Sequence, residues 1–300
     1  MRLCTITLDD CPVAAVRDPH HGFVPLPALD PTLPADLLEL LRHGLDAALT
    51  ERLAARLAEL PESAFHASGD VHIDAPYRRP DKLWGIGLNY VAHADDLATP
   101  HPTKPASFLK GAHTIVGPDE PIVLPPEGRR VTAEAELGLV IGRTCWQVDE
   151  AEALDSIAAV CPVLDQTAED ILQENPRFLT RSKNFPTFFA FGPELVTLDE
   201  ALAGRPLEDI TVGTWKNGEL FRDNVVAHMT YDPAYLVSFH SRTMPLYPGD
   251  IIATGTPGAV VVDDGDFAEC RIDGIGRLRN PVVRPDPPQY AEAVPAYLLR

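Results

Sequence analysis

Hydrophobic and polar positions alternate with a period of two along residues 131–142, Val-Thr-Ala-Glu-Ala-Glu-Leu-Gly-Leu-Val-Ile-Gly. That alternation predicts a strand, because successive side chains of a strand point to opposite faces. Glu134 and Glu136 then share one face, while Ala133, Ala135, Leu137, Leu139 and Ile141 line the other. A longer period governs the segment from Asp36 to Leu60, where Leu37, Leu38, Leu41, Leu45, Leu49, Leu53 and Leu57 recur at helical spacing and Gly44 marks a break between two helices. Acidic residues and scattered arginines on the polar face make this a packing element rather than a membrane-surface helix.

Past Pro61 the chain turns irregular, and Pro76 and Pro80 flank a linker. The expected division is a small N-terminal domain over 1–73 and a larger one over 74–300. In the larger part, short β-type runs separated by Gly and Pro prevail: Leu83–Gly87, Ala106–Leu109, Pro121–Leu124, Ala133–Ile141, Val160–Leu164, Ile210–Lys216 and Asp250–Thr254. Asn217-Gly218 is a type I′ hairpin signal, since both residues tolerate positive φ. Asp149 and Glu150 suit the start of a helix expected to run through Ala159, and Asp232-Pro233 supplies a cap and a first helical residue for another.

Composition narrows the functions. The net charge of −19 disfavours nucleic acid and anionic membrane as partners. Five cysteines without a Cys-x-x-Cys pair indicate neither a zinc ribbon nor a disulfide framework. With no signal pattern at the N-terminus and no apolar run of spanning length, the expected location is the cytoplasm.

The chemistry-bearing residues are few. Glu134, Glu136 and Asp165, which ends the apolar run Val160–Leu164, form an all-oxygen set suited to a hard ion such as Mg2+, Mn2+ or Ca2+. A sheet with one wet face is the plainer account of the Glu-x-Glu pair. His93 and Asp96 stand three apart, which on a short helix places a carboxylate beside an imidazole and raises its basicity; a solvated histidine near an acid is the alternative. Lys183 lies in the aromatic stretch Arg181-Ser-Lys-Asn-Phe-Pro-Thr-Phe-Phe189, where it could hold a developing oxyanion or merely pack its stem. Residues 248–258, Pro-Gly-Asp-Ile-Ile-Ala-Thr-Gly-Thr-Pro-Gly, read as turn, buried strand and a loop able to expose backbone N–H groups and the Thr256 hydroxyl. Gly85-Ile-Gly87 lacks the third glycine and the βαβ context of a dinucleotide fingerprint.

In order, Gly87-Leu-Asn-Tyr90 with a following His93, Phe108-Leu-Lys110, Gly117-Pro-Asp119, the Glu-x-Glu strand, Asp165, Ser182-Lys-Asn-Phe185, Asn217-Gly-Glu219 and Pro248-Gly-Asp250 with Thr-Gly-Thr-Pro257 resemble the fumarylacetoacetate hydrolase family from Pro80 to about Val261. The resemblance implies an α+β, predominantly β fold, a mixed β-sandwich roll behind a small N-terminal α/β domain, usually assembled as a homodimer. It implies Mg2+ or Mn2+ on Glu134, Glu136 and Asp165, His93 as water-activating base oriented by Asp96, Lys183 as oxyanion holder, and substrate contacts from Tyr90, Lys110, Glu169, Arg181 and Thr256. Glu169 stands where the family commonly carries an arginine, so the protein either binds something less anionic or uses another cation such as Arg177 or Arg181. The function implied is metal-dependent chemistry on a β-dicarbonyl or 2-oxo acid through an enolate, with C–C bond hydrolysis first. Decarboxylation, tautomerisation or condensation at the same site is the alternative, and a catalytically inactive binding protein of the same fold is the third reading.

Overall fold

A computed structural model describes residues 1–91 and 102–299. His93, Asp96 and His101 lie outside the described residues, and with them the expected histidine–acid pair.

The architecture is α+β with strands prevailing. The strands are β1 (Arg2–Leu8), β2 (Cys11–Asp18), β3 (Gly22–Pro25), β4 (His72–Asp74), β5 (Leu83–Gly87), β6 (Ala106–Lys110), β7 (Ile115–Val116), β8 (Ile122–Val123), β9 (Val131–Ile141), β10 (Ile157–Ala168), β11 (Phe189–Phe191), β12 (Leu195–Thr197), β13 (Thr211–Lys216), β14 (Glu219–Val225), β15 (Ile251–Ala253), β16 (Ala259–Val262), β17 (Phe267–Ile272) and β18 (Gly276–Val283). Among the described residues they form two sheets. The larger, mixed sheet runs β3-β2-β1-β12-β10-β9-β15-β5-β6 with four further strands off that path, and the smaller runs β14-β13-β17-β18-β8. The N-terminal strands join the larger sheet through the β1–β12 pair, and β4, which pairs with β1, spans the 73/74 position expected as a domain boundary.

The Leu-rich segment folds as the helices Leu37–His43 and Ala47–Ala58, separated at Gly44 with φ 111°, and each starts on an aspartate whose carboxylate accepts a backbone N–H. Leu37, Leu38, Leu41, Leu49 and Leu53 are buried against β1–β3 and one face of β9–β12. The Asn217-Gly218 turn has φ of 54° and 83° and joins β13 to β14, as its composition requires. Asp232 caps the helix Pro233–Ser241 by accepting from Tyr235 N at 2.8 Å.

One expected helix is shorter than its pattern suggested. After Glu150–Ala153 and a 3-10 turn over Leu154–Ser156, the chain enters β10 at Ile157 instead of staying helical to Ala159. Ile157 and Ala159 pair with Ile141 and Val140 of β9, so the long antiparallel ladder takes residues that local propensity would have left in the helix. This ladder matters for everything that follows, because its register sets Asp165 directly opposite Glu134. The odd-numbered side of β9, Ala133 to Ile141, enters the main core, as the alternation indicated. The carboxylate side is not wet: Glu136 is 1% exposed and Glu134 half-buried.

His240 provides a test of how the core tolerates acid. Its ring lies 4.7 Å from the Trp84 ring, Nδ1 bonds Leu236 O at 2.7 Å, and Nε2 has no partner among the described residues. Burial pushes its pKa below the ordinary value of 6.5, opposed by the Leu236 carbonyl. A depressed histidine contributes stability above its unfolded pKa and loses it as pH falls through the folded one. The melting temperature of wild type is therefore expected to drop more between pH 7.5 and 5 than that of His240→Phe, and equal drops in the two proteins would contradict this.

Candidate metal and catalytic centre

Asp165 and Glu134 are cross-strand partners, and Glu136 follows two residues along on the same face of β9, so three carboxylates converge from two strands. One oxygen of each lies within 4.8 Å of the other two. Such a cluster in a protein interior needs compensation, and two lysines provide part of it. Lys183, at the end of the short helix Leu179–Lys183, donates to Asp165 Oδ2 at 2.7 Å and Glu134 Oε2 at 2.8 Å. Lys110, the last residue of β6, bonds Asp165 Oδ1 and reaches Gln166 O at 3.3 Å. Both ammonium groups are nearly inaccessible, and each stem is flanked by an aromatic ring, Phe108 for Lys183 and Phe189 for Lys110.

The remaining bonds tune the carboxylates individually. Thr167, two residues beyond Asp165 on the same face, donates its hydroxyl to Glu134 Oε1 at 2.6 Å, and Thr132 does so at 3.3 Å. Glu136 Oε2 accepts the backbone N–H of Gly255 at 2.8 Å. Gly255 holds φ at +96°, and a Cβ there would lie 2.8 Å from Asn89 Cβ, so the loop after β15 approaches this closely only with glycine. Asn89 in turn ties that loop down, donating to Thr254 O at 2.8 Å and Tyr231 O at 3.0 Å.

The electrostatics follow from burial. Desolvation first, then the charges of Asp165 and Glu134, pushes the Glu136 carboxyl well above the usual range, against Lys183 and the Gly255 N–H. Burial works against the Lys183 ammonium, but Asp165, Glu134 and Glu136 outweigh it and hold its pKa above the ordinary value. For Lys110 burial wins: its pKa falls to about 8, with Asp165 resisting and Lys183 adding to the fall. Three carboxyl groups thus face two ammonium groups, with Glu136 favouring its protonated form until a cation offsets its neighbours, and the all-oxygen donor set fits a hard divalent cation.

Other expected site residues fall into two groups. Tyr90 is fully buried with no partner for its hydroxyl among the described residues, and burial, with Glu136 and Cys270 adding, raises its pKa so that it stays a neutral phenol. The Thr256 hydroxyl, by contrast, is engaged within its own loop, donating to Gly258 O at 3.0 Å and lying 3.4 Å from Thr214 Oγ1. Glu169 pairs with Arg130 at 2.5 Å and accepts from Gln173, and Arg181 is exposed at 3.5 Å from Glu174; neither bonds a triad residue. Thr167 and Gly255 carry contacts that sequence reasoning did not single out. Thr167 had a signal in its i+2 spacing from Asp165, whereas Gly255 had none for its N–H direction.

The sequence matches the family model for the fumarylacetoacetate (FAA) hydrolase C-terminal domain over residues 82–283. A bovine mitochondrial protein named oxaloacetate tautomerase FAHD2B is 35% identical over 274 residues, covering 87% of this chain and 84% of its own. Among solved structures, maleylpyruvate hydrolase from Sphingobium sp. SYK-6 in complex with manganese(II) and pyruvate is 27% identical with a TM-score of 0.78, covering 95% of this chain and all of the other. The 5-carboxymethyl-2-hydroxymuconate delta-isomerase of Mycobacterium smegmatis is 29% identical with a TM-score of 0.73, over the same shares. The fold and the buried carboxylate cluster thus define a class of α+β proteins that includes named hydrolases, isomerases and tautomerases. This chain belongs to the fumarylacetoacetate hydrolase family.

The compensation scheme predicts the consequence of removing its centre. Asp165→Asn leaves Lys110 and Lys183 without their shared counter-ion and should cost about 3 kcal/mol in urea unfolding with chelator present. A loss below about 1 kcal/mol would mean that the lysines do not depend on it.

Proposed function

We propose that this protein is a divalent-metal-dependent enzyme acting on enolisable 2-oxo acids, with Glu134, Glu136 and Asp165 as ligands of Mg2+ or Mn2+. The observation that carries the reading is the carboxylate cluster whose ligand atoms stand within 4.8 Å of one another and in which the buried Glu136 has its pKa forced upward by burial and then by its neighbours. A divalent cation held there would chelate two adjacent substrate oxygens and spread the charge of an enolate. Counting three carboxylates, two ammonium groups and a dication, the loaded site carries one net positive charge, which favours an anionic substrate.

The chain's own groups then divide the work. Lys183, kept protonated by the three carboxylates, donates to the substrate oxygen on which negative charge develops. Tyr90 offers a second, neutral O–H from an enclosed position. Lys110 holds Asp165 in its rotamer and, having a pKa near neutrality, can take part in binding a substrate carboxylate. For a substrate of the oxaloacetate type, Lys183 and Tyr90 would stabilise the enolate oxygen while the carbon-3 proton passes to water and a proton from water is returned to that oxygen, and the name of the 35% identical bovine relative favours that reaction. Hydrolysis of a C–C bond is the second reading. It adds His93, oriented by Asp96, as the base that takes a proton from water, and draws support from the maleylpyruvate hydrolase with bound manganese and pyruvate.

The two readings separate in one set of assays. Loaded with Mn2+, wild type should speed the decay of enol-oxaloacetate, chelator should abolish the effect, and Lys183→Met should lower kcat ~100-fold or more. His93→Ala should spare this tautomerisation, whereas it should abolish release of pyruvate from an acylpyruvate if hydrolysis is a true activity. Failure of metal-loaded wild type to accelerate either reaction would refute the proposal.

A further inference from the structure

The two lysines on Asp165 stand on elements that do not pair with each other, and one side chain ties those elements together. Asn184 directly follows Lys183, the last residue of the helix Leu179–Lys183. Its Oδ1 accepts the Gly111 N–H at 2.7 Å, and its Nδ2 donates to Leu109 O at 3.2 Å. These are the backbone groups on either side of Lys110, so the amide brackets that lysine much as a residue of a neighbouring strand would. β6 ends the path of the larger sheet, where β5 holds Lys110 opposite Leu83, and Asn184 holds it from another side. The same Nδ2 reaches Thr180 O at 3.0 Å, which fastens the amide to the helix that carries Lys183.

His113 closes the clamp. Its Nε2 donates to Asn184 O at 2.8 Å, and its ring lies over Gly111, where a Cβ would stand 2.5 Å from both Cε1 and Nδ1. Glycine at position 111 therefore admits the imidazole. Phe108 makes a second link between the two elements, its ring centre 4.7 Å from Lys183 Nζ. None of these contacts involves a triad carboxylate. The tips of the lysines, by contrast, are held by oxygens of Asp165 and Glu134, the same groups that a cation would draw on. The clamp thus fixes both lysine backbones whatever the carboxylates bind.

We propose that Asn184, closed by His113, is a positioning residue that keeps Lys183 in register with Lys110, so that Lys183 meets the developing enolate oxygen while Asp165 and Glu134 are engaged by a cation. This inference rests on the metal-site reading above and adds to it a residue that acts through Lys183 without touching substrate. Its physical basis is preorganisation: a donor stabilises developing charge most when it has no reorganisation left to make. A misplacement of about 1 Å can cost on the order of 100-fold in rate.

The experiment is calorimetric titration of the Mn2+-loaded protein with pyruvate and with oxalate, whose adjacent anionic oxygens imitate the enolate of pyruvate. Wild type should bind oxalate more tightly than pyruvate, and Lys183→Met should remove most of that preference. Asn184→Ala should weaken oxalate by about tenfold and leave pyruvate within about threefold, but in a Lys183→Met background it should change oxalate affinity by less than about twofold. A merely structural role would weaken both ligands alike or act equally in both backgrounds. His113→Ala should reduce the oxalate preference by about threefold, and His113→Gln, which keeps an N–H donor, should restore it. That pair decides the outcome if Asn184→Ala no longer binds Mn2+. An unchanged oxalate preference in Asn184→Ala, an equal loss with and without Lys183, or no oxalate preference in wild type overturns the inference while the metal reading stands. If wild type binds neither ligand, the metal reading fails and takes the inference with it.

Discussion

Three carboxylates and two lysines enclosed between strands impose the constraint on which this molecule is organised. Burying any of these charges alone is costly, and the pairs offset the cost only if their geometry holds. Asp165 is the hinge of the arrangement, because both ammonium groups bond it from opposite oxygens while Lys183 also reaches Glu134. The cluster is balanced only in part by these lysines. Glu136, whose carboxyl is forced upward by burial and by its two neighbours, favours its protonated form when no cation is bound and is held by a backbone N–H. A small, hard, positive ligand would relieve that constraint, and the oxygen donors fit one.

The fold places these groups by long-range register. The β9–β10 ladder sets Asp165 against Glu134, β16 adds Ala259 on the other side of Glu134, and the turn after β15 brings Gly255 onto Glu136. Lys110 arrives from β6 and Lys183 from a separate short helix. Six segments of the chain therefore meet at one point, and strands carry the anions. A strand end, a short helix and a loop, where variation is better tolerated, carry Lys110, Lys183 and the Gly255 N–H. Such a division suits a family whose named members perform hydrolysis, isomerisation and tautomerisation on one architecture.

Much of this was legible in the chain itself, and the limits have physical causes. The period-two pattern of residues 131–141 put Glu134 and Glu136 on one face, and Asn217-Gly218 and Asp232-Pro233 marked their turn and helix start, because those signals are local. That the carboxylate face is buried could not be read locally, since it depends on β10 and the loop after β15 covering it. The segment from Asp149 to Ala159 fits a helical pattern as well as a strand entry, and only pairing with β9 decides for the strand from Ile157. Thr256 looked free to meet a ligand, yet its hydroxyl closes its own loop on Gly258.

The central claim is that the triad holds a divalent cation, and direct binding tests it without reference to any reaction. Mn2+ titrated into chelator-treated protein should give one bound ion per chain by the loss of its free-ion electron paramagnetic resonance signal. Glu136→Gln, which keeps the shape and removes the charge, should weaken binding by at least about tenfold while the protein remains folded. Equal Mn2+ binding by wild type and Glu136→Gln, or none by wild type, would contradict the account.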